Sequence, residues 1–330
     1  MTTKLKYFLA LNRALHEEMS RDERVILIGE DIGESGGIFS QTRGIYDKFG
    51  PNRVRDTPIA EGGFVSMCVG AAAAGLRPII EIGFEDFLTA CMDSIVNQAA
   101  KLRYMLGGQV SVPIVLYTFG GGGLSAGPQH SQSFASWFAH VPGLKVVTPS
   151  TPSDVLGLFK SAVRDNNPTL CLLGKQLIGS SGIVPNEDKD FLIPIGKSEI
   201  KKEGTDVSLV TFSQMVPVAL KAAEQLESKH KISMEVIDLR TISPLDIETI
   251  ISSIKKTKNL CVLQEAMTPC SIASEVLAQI AEYSTNILSN SPIRICPPFT
   301  PSPFAPQLEK VYLPDENNVI SKVLKMISVR

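Results

Sequence analysis

No apolar run in this 330-residue chain reaches the ~18–20 residues of a membrane-spanning helix, so no such helix is expected. A formal net charge of −2 predicts no attraction to nucleic acid or to an anionic membrane surface. The six cysteines form no CxxC pair and no metal-ligand spacing. Four of them lie in apolar runs, which reads as small core residues in a reducing compartment. HExxH and cysteine–histidine zinc patterns are absent. GxxxxGK[ST] is absent too, and no GxGxxG stands in strand–turn–helix context, so neither a P-loop nor a nicotinamide fold is indicated. No Ser–His–Asp or Cys–His order can be argued. The opening MTTKLKYFLALNRALHEEM lacks the features of a signal or transit peptide and reads as an amphipathic helix, so a cytoplasmic bacterial protein is expected.

What is present is an ordinary globular composition, 44% hydrophobic and 20% charged, at a length that suggests two domains. Short apolar strands alternate with helices through the first half: strands at 24–29, 78–82, 113–117 and 145–148, and helices at 5–19, 62–75, 87–106 and 152–165. That alternation predicts a parallel sheet covered on both faces. Turn residues and charges with weak periodicity mark 181–202 as a linker between domains at 1–180 and 203–330. A second α/β unit follows, with strands at 207–212, 233–238, 260–264 and 293–295. The proline-rich stretch 297–306 cannot be a central strand.

Several constellations could carry chemistry. Glu61, in Asp56-Thr-Pro-Ile-Ala-Glu61-Gly-Gly, heads a helix of small residues. A carboxylate there is also what the helix dipole favours, so the residue alone leaves a structural and a catalytic role open. The lack of side-chain bulk on that helix suits close backbone approach, within the chain or at a subunit interface. Phe87 stands between a strand and a helix, where an aromatic either fills the core or stacks on a planar ligand. Gly120–Gly123 lead into Gln129-His130-Ser-Gln. A glycine run after a buried strand lets backbone approach a ligand or partner, and places a loop histidine near it. His140, in an apolar stretch, reads as a hydrogen-bonded structural residue. Asp165-Asn-Asn167-Pro168 ends a helix, by turn chemistry or by offering freed carbonyls to a monovalent cation.

Taken together the motifs carry a resemblance. Gly29-Glu30-Asp31-Ile-Gly, Gly36-Gly-Ile-Phe39, Asp56-Thr-Pro-Ile59-Ala-Glu61, Ile95-Val-Asn-Gln-Ala-Ala-Lys101, Gln129-His130-Ser-Gln, His140-Val-Pro-Gly-Leu-Lys and Asp238-Leu-Arg240-Thr-Ile-Ser-Pro-Leu-Asp246 stand in one family's order. The chain resembles the E1 β subunit of a 2-oxo acid dehydrogenase complex, in the transketolase superfamily, over about residues 4–328. The resemblance implies a pyrimidine-binding parallel-sheet domain for thiamine diphosphate, followed by a transketolase C-terminal α/β domain. It implies an α-subunit partner in an α2β2 tetramer, a lipoyl-bearing E2 and a small 2-oxo acid substrate. The magnesium and diphosphate grip, a GDG…N motif, belongs to the family's α subunit, and this chain has no GDG. Glu61 matches the glutamate that hydrogen-bonds the aminopyrimidine N1′, a role that a desolvated carboxyl with a raised pKa would serve. Phe87 matches the ring that stacks on the pyrimidine. Ile59 and Glu30 match residues lining that pocket, and His130 a histidine that assists acyl transfer. A monovalent-cation site, for K+, carries over onto Ile114, Val115, Ala162, Asp165 and Asn167.

The chain also departs from the pattern. Leu173 and Ile178 replace a usual glutamate and tyrosine, and Gln264-Glu265-Ala266 replaces a histidine-led triplet. These departures leave open an E1-like pair that transfers an acyl or ketol group in biosynthesis without a standard E2. A non-catalytic assembly subunit is the third reading, and the joint retention of Glu61, Phe87 and His130 argues against it.

Overall fold

The computed structural model describes residues 2–186, 190–284 and 286–328. The chain divides into two compact units, one of Met1–Gly120 with Trp137–Ile195, the other of Gly121–Ser136 with Gly196–Arg330. The second unit therefore takes in a segment, 121–136, that lies far earlier in the chain than the rest of it.

In the first unit, β2 (Val25–Gly29), β3 (Val54–Asp56), β4 (Arg77–Phe84), β5 (Val115–Gly120), β6 (Lys145–Val147) and β7 (Thr169–Gly174) pair in the order β6-β7-β5-β4-β2-β3. Every pairing among them is parallel, as the alternation of strand and helix requires. Side chains alternate between the faces of a sheet. Val25, Leu27, Ile79, Val115, Tyr117, Val147 and Cys171 accordingly share one core with Leu11, Leu15 and Met19 of α1 (Tyr7–Arg21). Val155, Leu156 and Phe159 of the later helix Pro152–Arg164 join the same core. Glu17 of α1 pairs with fully buried Lys160 at 2.7 Å, and buried Glu18 with Arg164 at 2.8 Å, tying the two helices by charge as well as by packing.

One expectation gives way, and one segment holds strands that its weak periodicity did not show. The helix foreseen from Phe87 to Leu106 is a helical run of changing pitch: a 3-10 turn at Glu85–Cys91, a wide π turn at Ser94–Ala99, then α4 (Leu102–Met105), with α2 at Ile45–Phe49 and α3 at Glu61–Ala73 before it. Ser94 Oγ donates to Gly62 O at 3.1 Å and meets Ser66 Oγ at 2.7 Å, so the run is tied sideways to α3 where its pitch widens. The linker foreseen at 181–202 contains β8 (Ser181–Pro185) and β9 (Glu199–Lys202); residues 187–189 of it lie outside the described ones. β8 pairs antiparallel with β1 (Thr2–Lys6), from Thr2 opposite Pro185 to Lys6 opposite Ser181. A two-stranded ribbon this short has too few alternations to be legible in advance.

After α5 (Ala135–Ala139) and α6 (Pro152–Arg164), the second unit builds its own sheet from β9, β10 (Val207–Thr211), β11 (Met234–Asp238), β13 (Leu260–Leu263) and β14 (Ile293–Ile295); a short β12 (Thr241–Ser243) follows β11 in the chain. The order is β14-β13-β10-β11-β9, parallel except for the antiparallel edge strand β9. One core joins Val207, Leu209, Val236 and Cys261 to α7 (Met215–Gln225) and to the closing helix Glu316–Ser328. Between them run α8 (Ile247–Thr257), α9 (Ile272–Tyr283), α10 (Pro306–Tyr312) and then α11, that closing helix. Asp246 and Ser271 cap the starts of α8 and α9. Among the described residues no helix is long and apolar enough to cross a membrane.

Candidate cofactor pocket and the loop of His130

In a parallel sheet, all strands end on one side, and the residues just past those ends are brought together. β2 ends at Gly29, so Glu30 is the first residue out of the sheet. β3 ends at Asp56, and Ile59 and Glu61 follow. β4 ends at Phe84, and Phe87 lies in the 3-10 turn after it. These are the three neighbouring strands β3, β2 and β4, so Glu30, Ile59, Glu61 and Phe87 gather at one edge of one sheet.

Local contacts fix the edge. Thr57 N donates to Gly29 O at 2.9 Å, and Gly33 N to Asp56 Oδ1 at 2.8 Å, stitching the loops after β2 and β3 together. A Cβ on Gly62 would lie 3.1 Å from Ala90 O, so the head of α3 sits close against the 3-10 turn of Phe87. Glu61 is half-buried in the first turn of α3, whose entry residue Ala60 offers no side-chain cap. Ile59 is 83% exposed and Phe87 37%, apolar groups held where a flat ligand or another chain would cover them. The Phe87 ring stacks on Phe84 at 6.2 Å and 23°, and Lys175 lies 4.0 Å over the other ring's centre. Burial, the charge of Glu61 and then that of Asp31 push the Glu30 carboxyl above its ordinary range. Glu30 Oε1 is buried with no hydrogen-bond partner, a costly state that a ligand donor would relieve.

Beneath this edge lies a network that sequence reading passed over. Glu81, mid-strand in β4, is buried among apolar residues. Its Oε1 accepts from Gln41 Nε2 at 2.5 Å, and its Oε2 accepts from the Tyr117 hydroxyl. Burial pushes its carboxyl up to about 7 against the pull of those two hydrogen bonds, with the charge of Glu30 adding to the rise. The available signal was a lone carboxylate in the otherwise apolar strand RPIIEIGF.

His130 belongs to the second unit. Its loop is pinched at the base, Gly121 N donating to Gln132 O at 2.9 Å, and His130 N donates to Gly127 O at 3.2 Å. His130 Nδ1 lies 2.7 Å from Gln129 O. A carbonyl only accepts, so Nδ1 is the donor in this contact. His140, expected to be a hydrogen-bonded structural residue, is exposed: its neighbours Phe138 and Val141 turn inward and leave it outside.

The five residues matched to a monovalent cation surround the end of α6. Ile114 O accepts from Thr169 N at 3.0 Å, and Ala162 O from Asp165 N at 3.2 Å. Val115, the first residue of β5, is engaged in the sheet. The Asp165 carboxylate is paired with Lys145 and accepts from Asn167 N and Nδ2 at 2.8 Å each. Arg77 donates to Asp165 O, to Val163 O at 2.9 Å and to Asn166 Oδ1 at 3.1 Å. Much of the oxygen freed by the helix end is thus taken by a guanidinium and an ammonium of this chain.

Comparison with known proteins fits this architecture. Residues 3–180 match the transketolase pyrimidine-binding domain, and residues 196–319 the transketolase C-terminal domain. The chain is 44% identical to the beta subunit of the acetoin:2,6-dichlorophenolindophenol oxidoreductase of Cupriavidus necator, covering 98% of each. It is 44% identical to the pyruvate dehydrogenase E1 component subunit beta-1 of Arabidopsis thaliana, over 94% of this chain and 86% of the relative. In fold it matches a split-gene transketolase, described as an inactive beta4 tetramer, with a TM-score of 0.78 at 21% identity and 97% coverage of both chains. By its two domains and by relatives that match it almost end to end, the chain belongs to the transketolase-like family of dehydrogenase E1 beta subunits.

Proposed function

We propose that this chain is the β subunit of a thiamine-diphosphate-dependent E1 that decarboxylates a 2-oxo acid or cleaves acetoin and passes the acyl group to a lipoyl-bearing E2. The observation that carries the reading is the edge of β3, β2 and β4, where a half-buried Glu61, an exposed Phe87 and an unpartnered Glu30 oxygen gather. An aminopyrimidine ring fits that set: it has a flat face for Phe87, a ring nitrogen for a carboxyl proton and an amino group for a carboxylate oxygen. When bound, thiamine diphosphate supplies the electron sink for the loss of CO2. Glu61 holds the proton at the pyrimidine nitrogen, Phe87 and Ile59 hold the ring in place and exclude water, and Glu30 accepts from the ring's amino edge.

The α subunit, in an α2β2 assembly, would hold Mg2+ and the diphosphate. His130 would act in the acyl-transfer step. A K+ ion at Ile114, Val115, Ala162, Asp165 and Asn167 would rest on backbone carbonyls, because the Asp165 carboxylate is paired with Lys145. The relatives named for pyruvate and acetoin enzymes support this class of substrate.

The test is co-expression with an α chain and a panel of 2-oxo acids and acetoin, read by CO2 release or dye reduction. Glu61→Ala should abolish turnover of the assembled complex. Full dye reduction by that variant would sink the assignment.

A further inference from the structure

The sequence offers the run Gly120–Gly123 as backbone able to approach a ligand or a partner chain. Each glycine after Gly120 lies against one or both of two carboxylates of the second unit, Glu265 and Glu309. Glu265, in the turn after β13, accepts from Gly122 N with Oε1 and from Gln214 Nε2 with Oε2. Gln214 Nε2 also lies 3.3 Å from Gly122 O, closing a ring of three residues. Glu309, on α10 and 3% exposed, accepts from Gly123 N at 2.8 Å with Oε1. Its Oε2 accepts from Ser125 N at 2.8 Å and Ser125 Oγ at 3.1 Å.

The glycines follow from these contacts. Gly121 has φ +85°, and a Cβ there would lie 2.6 Å from both Glu265 carboxyl oxygens and 2.7 Å from Gln214 Nε2. On Gly122 it would lie 3.1 Å from Glu309 Oε1. Further along, Gly127 at φ +79° has the Phe304 ring 3.0 Å from its Cβ position. Backbone N–H groups bonded to carboxylates are held more tightly than by neutral acceptors. The loop is therefore clamped at Gly122, Gly123 and Ser125, pressed at Gly127 and pinched at Gly121–Gln132, with His130 between the last two points.

We propose that Glu265 and Glu309 are positioning residues that set the place of His130 for the acyl-transfer step. The inference rests on the acyl-transfer reading of His130. Neither carboxylate is free to act as a base, because their oxygens are taken up by donors of the loop and of Gln214; their part is to hold the loop in one arrangement. An imidazole displaced by about 1 Å loses most of its effect on a reacting group.

The test uses the complex reconstituted with its α chain, and two rates: reduction of dichlorophenolindophenol, which bypasses acyl transfer, and acylation of a lipoyl domain. Glu309→Gln loses one set of acceptor contacts, because its NH2 faces a donor. It should lower lipoyl acylation roughly tenfold while leaving dye reduction and the KM for 2-oxo acid unchanged. In a His130→Ala background the same substitution should cost almost nothing more, since both act on one group. Equal losses in both backgrounds would overturn the inference. Unchanged acylation in His130→Ala overturns the acyl-transfer reading itself; lowered acylation there with unchanged acylation in Glu309→Gln overturns the positioning role alone. Should Glu309→Gln fail to assemble, Glu265→Gln decides in the same two backgrounds: it sets an NH2 group against the Gln214 amide or against Gly122 N, so it should lower acylation with His130 present and cost almost nothing more in His130→Ala. An equal loss in both backgrounds overturns the proposal.

Discussion

Gly29 and Glu81 stand back to back on adjacent parallel strands: a Cβ on Gly29 would lie 2.9 Å from the Glu81 Cβ. The next residue after Gly29 is Glu30, so the buried carboxyl of Glu81 and the candidate pocket carboxyl of Glu30 are neighbours through one glycine. That closeness is why the charge of Glu30 contributes to the rise in Glu81's pKa.

The first prediction follows from Glu81. Its folded pKa, about 7, is raised above the ordinary value of 4.5. Below pH 4.5 both folded and unfolded forms hold the proton, and the full stabilising contribution is present. As pH rises from 4.5 to 7 only the folded form keeps the proton, so stability falls; above 7 it levels off. The loss over that window is about 3 kcal/mol. Glu81→Gln removes the titration, so the melting temperature of the variant should rise relative to that of the wild type as pH goes from 5 to 8. A gap independent of pH would mean that Glu81 is ionised throughout.

Phe87→Ala removes the ring proposed to stack on the aminopyrimidine and leaves Glu61 in place. Aromatic stacking is worth ~0.5–1.5 kcal/mol. Half-saturation by thiamine diphosphate should therefore rise roughly two- to tenfold, with kcat at saturating cofactor little changed, in a titration of the assembled complex. A fall in kcat with no change in cofactor affinity would place Phe87 elsewhere in the chemistry.

Arg77 supplies the donors at the end of α6, to Val163 O, Asp165 O and Asn166 Oδ1, and is 7% exposed. Arg77→Met keeps the bulk but leaves those oxygens unsatisfied, at a cost of about 2–4 kcal/mol. Added K+ should restore part of the melting temperature if a cation takes over the carbonyls. Equal melting curves in Na+ and K+ would exclude that substitution of one cation for another.

The fourth prediction concerns the chain by itself. With the metal and diphosphate grip assigned to an α subunit, calorimetry of the isolated chain with thiamine diphosphate and Mg2+ should show no tight binding. Binding as strong as that of the reconstituted complex would contradict a divided site.

The alternating apolar strands and helices were legible because burial on both faces leaves nearly continuous apolar runs, as in VILIG of β2 and VLYTFG of β5. The second unit's strands could be read in the same way. The pieces that were not legible are the ones made by partners distant in the chain. β1 and β8 exist only because Thr2–Lys6 meets Ser181–Pro185, and the helical run after β4 changes pitch where Ser94 reaches α3.

The pocket divides the same way. From the sequence alone came the two-domain α/β class, the family and the identity of Glu30, Ile59, Glu61, Phe87 and His130 as candidates, since motif order survives in a linear string. Only the tertiary structure gathered the first four at the ends of β2, β3 and β4, buried an unpartnered oxygen on Glu30, and set Glu81 against Tyr117 and Gln41. It alone revealed that the glycine run is clamped by Glu265 and Glu309, from segments more than 140 residues away in the chain. A residue's charge state and its contacts depend on what burial brings beside it, and no local pattern encodes neighbours at that distance.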